Sequence, residues 1–130
     1  MDFKKQYTFQ ERLTESGRII SKFPDRVPVV CEQSTVNGRL PLIGKKKFLV
    51  PVSITVSQLV CILRKRVTIP PEMGIFLYVN SQTKGSHIPP NSLTISEIYK
   101  LHRDEDNFLY VSISSESTFG CNFFTQCKDK

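Results

Sequence analysis

The sequence predicts an α+β fold: a four-stranded mixed sheet crossed by a helix, with a helical extension ahead of it. Three observations carry the prediction. A helix-start signature occurs three times, four runs have strand composition, and the two kinds of segment alternate in a fixed order. The helix starts are Thr8-x-x-Glu11, Thr55-x-x-Gln58 and Thr94-x-x-Glu97. Each fits a capping box, in which a threonine hydroxyl and a Glu or Gln side chain satisfy backbone N–H groups that the first turn leaves without partners.

The first long helix is expected from Phe9 to Lys22. Phe9, Leu13, Ser16, Ile20 and Phe23 form one stripe at the 3.6-residue period, Ile19 lies about 40° off it, and Pro24 ends the helix. A second helix runs from Thr55 to Arg66 with Val56, Leu59, Val60, Leu63 and Val67 on its stripe and Ile62 about 60° outside. The third is short, Thr94 to His102, with Ile95, Ile98 and Tyr99 available for burial.

Two runs rich in β-branched and aromatic residues, Val27 to Glu32 and Lys47 to Val52, flank a turn-prone Asn37-Gly38. Pro28 and Pro51 cannot donate ladder hydrogen bonds, so each is expected on an edge or at a strand end. Ile75 to Asn80 is a third strand. Phe108 to Ser114 is a fourth, with Leu109, Val111 and Ile113 on one face and Phe108 and Tyr110 on the other. Two strands, a crossing helix and two more strands make a β-grasp. The expected organisation is a helical segment over 1–24, the β-grasp domain over 25–120 and a tail over 121–130. Ser81 to Ser92 has loop composition.

A chain of 130 residues suits one domain. With 39% hydrophobic and 23% charged residues it has the composition of a globular protein, not a disordered one. No apolar run approaches the roughly 20 residues that span a bilayer, and the N-terminus lacks the features of a secretory signal, so a cytosolic protein is expected. Cys31, Cys61, Cys121 and Cys127 show no Cys-x-x-Cys spacing. With His87 and His102 as the remaining soft donors, free thiols are expected and neither a metal nor a cofactor is.

The net charge of +6 gathers at Lys4-Lys5, Lys45-Lys46-Lys47 and Arg64-Lys65-Arg66, opposed by Asp104-Glu105-Asp106. Such a pattern suits acidic protein segments, anionic lipid or nucleic acid. A basic nucleic-acid-binding module lacks support from any recognisable motif, and the aromatic residues read as buried or pocket-forming. An enzyme is disfavoured because neither Cys31 nor Cys61 has a nearby histidine to activate it. Phe48 and Val50 alternate with Lys47 and Leu49 on a strand that prolines interrupt. An edge strand flanked by apolar pockets and basic side chains is built to accept an extended peptide by β-augmentation.

The run Lys22-Phe-Pro-Asp-Arg-Val-Pro-Val-Val, then Lys45-Lys-Lys-Phe-Leu-Val-Pro and Arg64-Lys-Arg, resembles the autophagy ubiquitin-like family. That family includes the GABA-receptor-associated protein and microtubule-associated light chain three. Asp104-Glu-Asp-Asn-Phe-Leu-Tyr-Val, closing on Ser117-Thr-Phe-Gly, is similar to its C-terminal signature, and the likeness extends from Phe3 to Gly120. The resemblance implies a ubiquitin-like β-grasp and a modifier with no catalytic residues. A processing cysteine protease would cut between Gly120 and Cys121, after Phe119. Activating and conjugating enzymes would then join the Gly120 carboxylate to phosphatidylethanolamine. Glycine suits this role because the missing Cβ lets the chain end thread a narrow active-site slot.

The resemblance further implies that peptides of the form aromatic-x-x-aliphatic pair with the second strand. The aromatic side chain would enter a pocket of Glu15, Ile19, Pro28, Lys47, Leu49 and Phe108. The aliphatic one would enter a pocket of Phe48, Val50, Pro51, Ile54, Leu59 and Ile62, with Leu59 also on the helix stripe. Arg26, Lys45, Lys46 and Arg66 would attract acidic neighbours. Implied partners are cargo receptors and adaptors, the lipidation enzymes, the membrane through the lipid, and microtubules, but not nucleic acid. The implied locations are the cytoplasm, then the autophagosome membrane and the vacuole or lysosome. An unconjugated peptide-binding scaffold of the same fold is the alternative.

Several positions depart from the family pattern. Gly44 stands in place of an acid, Asn107 in place of a turn glycine that asparagine can replace, and Ile113 in place of a tyrosine. Residues 81–92 exceed the usual length, next to the surface around Phe76 and Tyr78 where some members have a second binding face. The tail is long and carries two cysteines.

Overall fold

All three capping boxes form. In a computed structural model, which describes residues 2–33, 47–67, 74–81 and 85–114, the Thr8 hydroxyl accepts from the Glu11 N–H at 3.1 Å while the Glu11 carboxylate accepts from the Thr8 N–H at 2.8 Å. The same reciprocal pairs tie Thr55 to Gln58 at 3.2 and 2.9 Å and Thr94 to Glu97 at 3.2 and 3.0 Å. The elements are α1 (Asp2–Gln6), α2 (Phe9–Lys22), β1 (Arg26–Gln33), β2 (Lys47–Pro51), α3 (Val56–Val67), β3 (Phe76–Ser81), β4 (Gly85–His87), α4 (Ile95–His102) and β5 (Leu109–Ser114).

The strands lie in the order β2-β1-β5-β3-β4. The central β1–β5 pair is parallel and the other pairs are antiparallel, which makes the sheet mixed as expected. Alternation along the strands divides the interior in two. Leu109, Val111 and Ile113 join Val27, Val29, Phe48 and Val50 beneath α3 and α4, where Val56, Leu59, Leu63, Ile95 and Ile98 meet them. Phe108 and Tyr110 join Val30 on the opposite face, beneath Phe3 of α1 and Ile19 of α2.

The sheet has five strands among the described residues, not four. The extra strand, β4, lies inside the segment expected to be loop. Its residues have no strand pattern of their own. Pairing with β3 (Val79↔His87, Asn80↔Ser86, Ser81↔Gly85) forms it, Gly85 supplies a φ of +71°, and the Ser86 hydroxyl donates to the Asn80 side chain at 2.6 Å.

Two further expectations are corrected. Pro28 stands three residues into the inner strand β1, opposite Leu49, and is tolerated because the ladder to β5 begins only at Val29. Pro51 does end the edge strand β2. On α2 the buried residues are Ser16 and Ile19, while Phe9 of the predicted stripe is exposed beside the Arg12 guanidinium. Ser16, on both the predicted and the observed face, is small enough for close approach and its hydroxyl donates to the Asp106 carbonyl at 2.6 Å, while Ile19, off the predicted stripe, packs with Phe3, Val30 and Phe108.

Polar links hold the helical extension. Asp106, fully buried, accepts from the Arg12 guanidinium at 2.6 Å, the Tyr110 hydroxyl at 2.5 Å and the Phe108 N–H at 2.9 Å. Lys4 reaches Asp104 at 2.7 Å, and the Phe3 N–H donates to Glu32 at 3.1 Å. Asn107 takes a φ of +69°, a left-handed turn that asparagine tolerates.

Candidate functional site

The site is built around β2. Among the described residues this strand pairs with β1 alone, so its other edge carries backbone donors and acceptors available to an added strand. Because successive side chains alternate, Lys47 and Leu49 face the α2 side while Phe48 and Val50 face the α3 side. A cavity opens on each side.

On the α2 side, a cavity of about 210 Å³ is lined by Glu15, Ile19, Pro28, Lys47, Leu49 and Phe108, all six residues expected of the aromatic pocket. Arg18, Phe23 and Phe48 complete it. Phe108 is fully buried and forms the floor, whereas Leu49 is 37% exposed at the rim. Glu15 accepts from Arg18 at 2.9 Å and lies 3.6 Å from Lys47. The hydrogen bond from Arg18, followed by the charge of Lys47, holds its carboxyl below the usual carboxylate range.

On the α3 side, a cavity of about 370 Å³ is lined by Phe48, Val50, Pro51, Leu59 and Ile62, five of the six residues expected of the aliphatic pocket. Leu59 is buried and serves the core as well, while Ile62 is exposed, as its position off the helix stripe implied. Ile54 is not brought to this cavity. It packs against the main core, and its carbonyl accepts from the Ile95 N–H at 2.8 Å.

Cations frame both cavities. Arg26 lines the larger one and donates to the Leu49 carbonyl at 3.4 Å, and the Arg66 guanidinium sits 5.6 Å from the Phe48 ring centre. Lys45, Lys46, Phe119, Gly120 and Cys121 lie outside the described residues.

Sequence reasoning missed Arg18 and Phe23, which flank the Ile19 turn of α2, and a further cleft of about 220 Å³ where Phe3 of α1 and the following Tyr7 meet Arg12, Glu15 and Lys47. It also missed that Asp104 and Asp106 anchor the helices beside this site. Arg18 could have been found from the Glu15-x-x-Arg18 spacing, which places opposite charges on one helix face. Among the described residues no group of three or more His, Cys, Asp or Glu side chains could hold a metal, and no helix is long and apolar enough to cross a membrane.

A mixed sheet with a helix laid across one face, extended by two N-terminal helices on the other, defines a ubiquitin-like protein with an open edge strand between two apolar cavities. The family model described as autophagy protein Atg8, ubiquitin-like, matches residues 11–120, and the chain belongs to that family. It is 46% identical over 118 residues to autophagy-related protein 8 of Vanderwaltozyma polyspora, covering 91% of this chain and 95% of the relative. The crystal structure of Trypanosoma brucei ATG8 matches with a TM-score of 0.81 at 37% identity, over 92% of this chain and 98% of that one. Plasmodium falciparum Atg8 in complex with a Plasmodium falciparum Atg3 peptide matches with a TM-score of 0.77 at 35% identity, over 88% and 96%.

Proposed function

We propose that this autophagy ubiquitin-like protein is a modifier, joined through Gly120 to phosphatidylethanolamine on autophagic membranes, that recruits cargo receptors and adaptors by binding aromatic-x-x-aliphatic peptides along β2. The observation that carries the peptide reading is the pair of cavities on opposite sides of one open strand edge. In an added strand, residues i and i+3 point to opposite faces. A spacing of three therefore sends the aromatic side chain toward α2 and the aliphatic one toward α3. Backbone hydrogen bonds to β2 supply affinity that is independent of sequence, and the cavities supply selectivity. Arg26, Lys45, Lys46, Lys47 and Arg66 favour peptides with acidic neighbours. The Plasmodium relative, whose structure holds an Atg3 peptide, supports a peptide-binding role.

Conjugation rests on the family membership and on Phe119-Gly120 standing shortly after β5. A processing protease would free the Gly120 carboxylate, and activating and conjugating enzymes would carry it to the lipid amine. The protein would thus pass from the cytoplasm to the autophagosome membrane and on to the vacuole or lysosome. Intact mass of the protein recovered from cells tests this. Loss of residues 121–130 together with a lipid-bearing fraction, both absent in Gly120→Ala, is the expected result. A full-length mass in both proteins would leave an unconjugated peptide-binding scaffold.

A further inference from the structure

A third groove, of about 420 Å³, opens on the β3 side of α3. Val60 and Cys61 of α3, Ile75 and Phe76 at the start of β3, and Ile88 and Pro89 after β4 form its walls. Phe76 is 37% exposed and Ile88 44% exposed, so the groove presents apolar surface to solvent. Unlike the two cavities beside β2, it has no charged residue among the described residues of its lining.

The sheet register places the end of β5 beside it. Ser114, the last residue of β5, pairs with Phe76, a residue of the groove wall, in an antiparallel ladder. Residues 115–130 follow, with Phe119, Phe123 and Phe124 as their large apolar side chains and no charge between Ser117 and Cys127. The nine residues from Ser114 to Phe123 can span about 30 Å when extended, ample to reach a groove beside the end of β5.

We propose that this groove seats the chain's own C-terminal tail, with Phe123 and Phe124 buried against Val60, Ile75 and Ile88. The match is one of polarity. An uncharged aromatic segment meets an uncharged apolar groove, while acidic peptides are drawn to the cation-framed cavities at β2. Covalent continuity makes docking intramolecular and sets the tail at a high effective concentration. The inference does not depend on Gly120 being a conjugation point.

Cys61 is an exposed thiol in the groove wall, and Cys31 is fully buried, so thiol reactivity reads groove occupancy directly. The test uses the full chain carrying Cys121→Ser and Cys127→Ser, with the rate of Cys61 reaction with an aromatic disulfide reagent as the signal. Because a short tether holds its end at roughly millimolar effective concentration, a docked tail should slow Cys61 about tenfold. Adding Phe123→Asp with Phe124→Asp should release that protection. Ile88→Asp should release it equally, and the combination should react no faster than either. Continued silence of Cys31 shows that each variant is folded. Equal rates with and without the tail substitutions would overturn the proposal. So would protection that disappears on dilution, which would mark a second copy of the chain as the occupant.

Discussion

On the α3–α4 face of the sheet, fifteen buried residues form a single apolar cluster among the described residues, while on the α1–α2 face five buried residues share the work with charges. Lys4–Asp104 and Arg12–Asp106 are ion pairs with their carboxylates almost wholly out of water. The first face is held by area removed from water, which is insensitive to pH and weakly dependent on geometry. The second depends on a few bonds converging on Asp106, and loss of one partner leaves a buried charge uncompensated. The two cavities beside β2 divide along the same line. The larger one is walled by the apolar core through Leu59 and Leu63, and the smaller one by α2, whose position Asp106 fixes. The contrast implies that the α2-side cavity can loosen while the fold persists.

Two substitutions test this contrast most strongly. Leu63→Ala removes a buried side chain from the larger cluster and should lower global stability by about 3–4 kcal/mol, read as a shift in the denaturant midpoint. Arg12→Ala leaves Asp106 without its cation and should cost about 3 kcal/mol, felt first as opening of α1 and α2. Hydrogen exchange should then accelerate in α2 while β5 stays protected. Uniform acceleration across both faces would erase the distinction.

A pH titration sharpens the comparison. Burial, then the hydrogen bond to Asp106, raises the Tyr110 phenol above its ordinary value of 10.0. The folded state thus keeps a proton that the unfolded chain releases, so stability is unaffected below pH 10.0 and falls as pH rises above it. Tyr110→Phe should flatten this alkaline decline, measured as thermal midpoint against pH, and should leave neutral behaviour less affected. A decline of unchanged steepness in the variant would assign it to other groups.

The smallest effect belongs to the rim. Lys47→Ala should weaken binding of an acidic aromatic-x-x-aliphatic peptide by no more than about 1 kcal/mol, and the loss should shrink as salt rises. Ile19→Ala, which empties part of the aromatic cavity, should cost about 2 kcal/mol at any salt. Calorimetric titration at two ionic strengths separates these cases.

Much of this was legible in the sequence where the signal is local. Capping boxes fixed three helix starts, and alternation along Leu109–Ser114 separated the two faces correctly. The cavities at β2 followed from the resemblance together with the alternation of Lys47, Phe48, Leu49 and Val50. What stayed hidden was long-range. Asp106 meets Arg12 across 94 residues and Asp104 meets Lys4 across 100, so a run that the sequence shows only as acidic is a clamp on the helical extension. On α2 the stripe placed Ser16 inside correctly, but it also included Phe9, which is exposed, and left out Ile19, which is buried. β4 has no periodicity to detect, since Gly-Ser-His becomes a strand only by pairing with β3. Gly120 carries no local signal beyond a glycine ahead of a ten-residue tail, and the role proposed for it rests on family membership alone.

The peptide reading turns on one geometric statement: anchors three residues apart enter cavities on opposite sides of β2. The direct measurement is the affinity of an aromatic-x-x-aliphatic peptide against the same peptide with one spacer residue removed. With both anchors forced onto one face, one cavity stays empty, and affinity should fall by at least about 2 kcal/mol, some thirtyfold. Equal affinity for the two spacings would contradict strand addition between the two cavities.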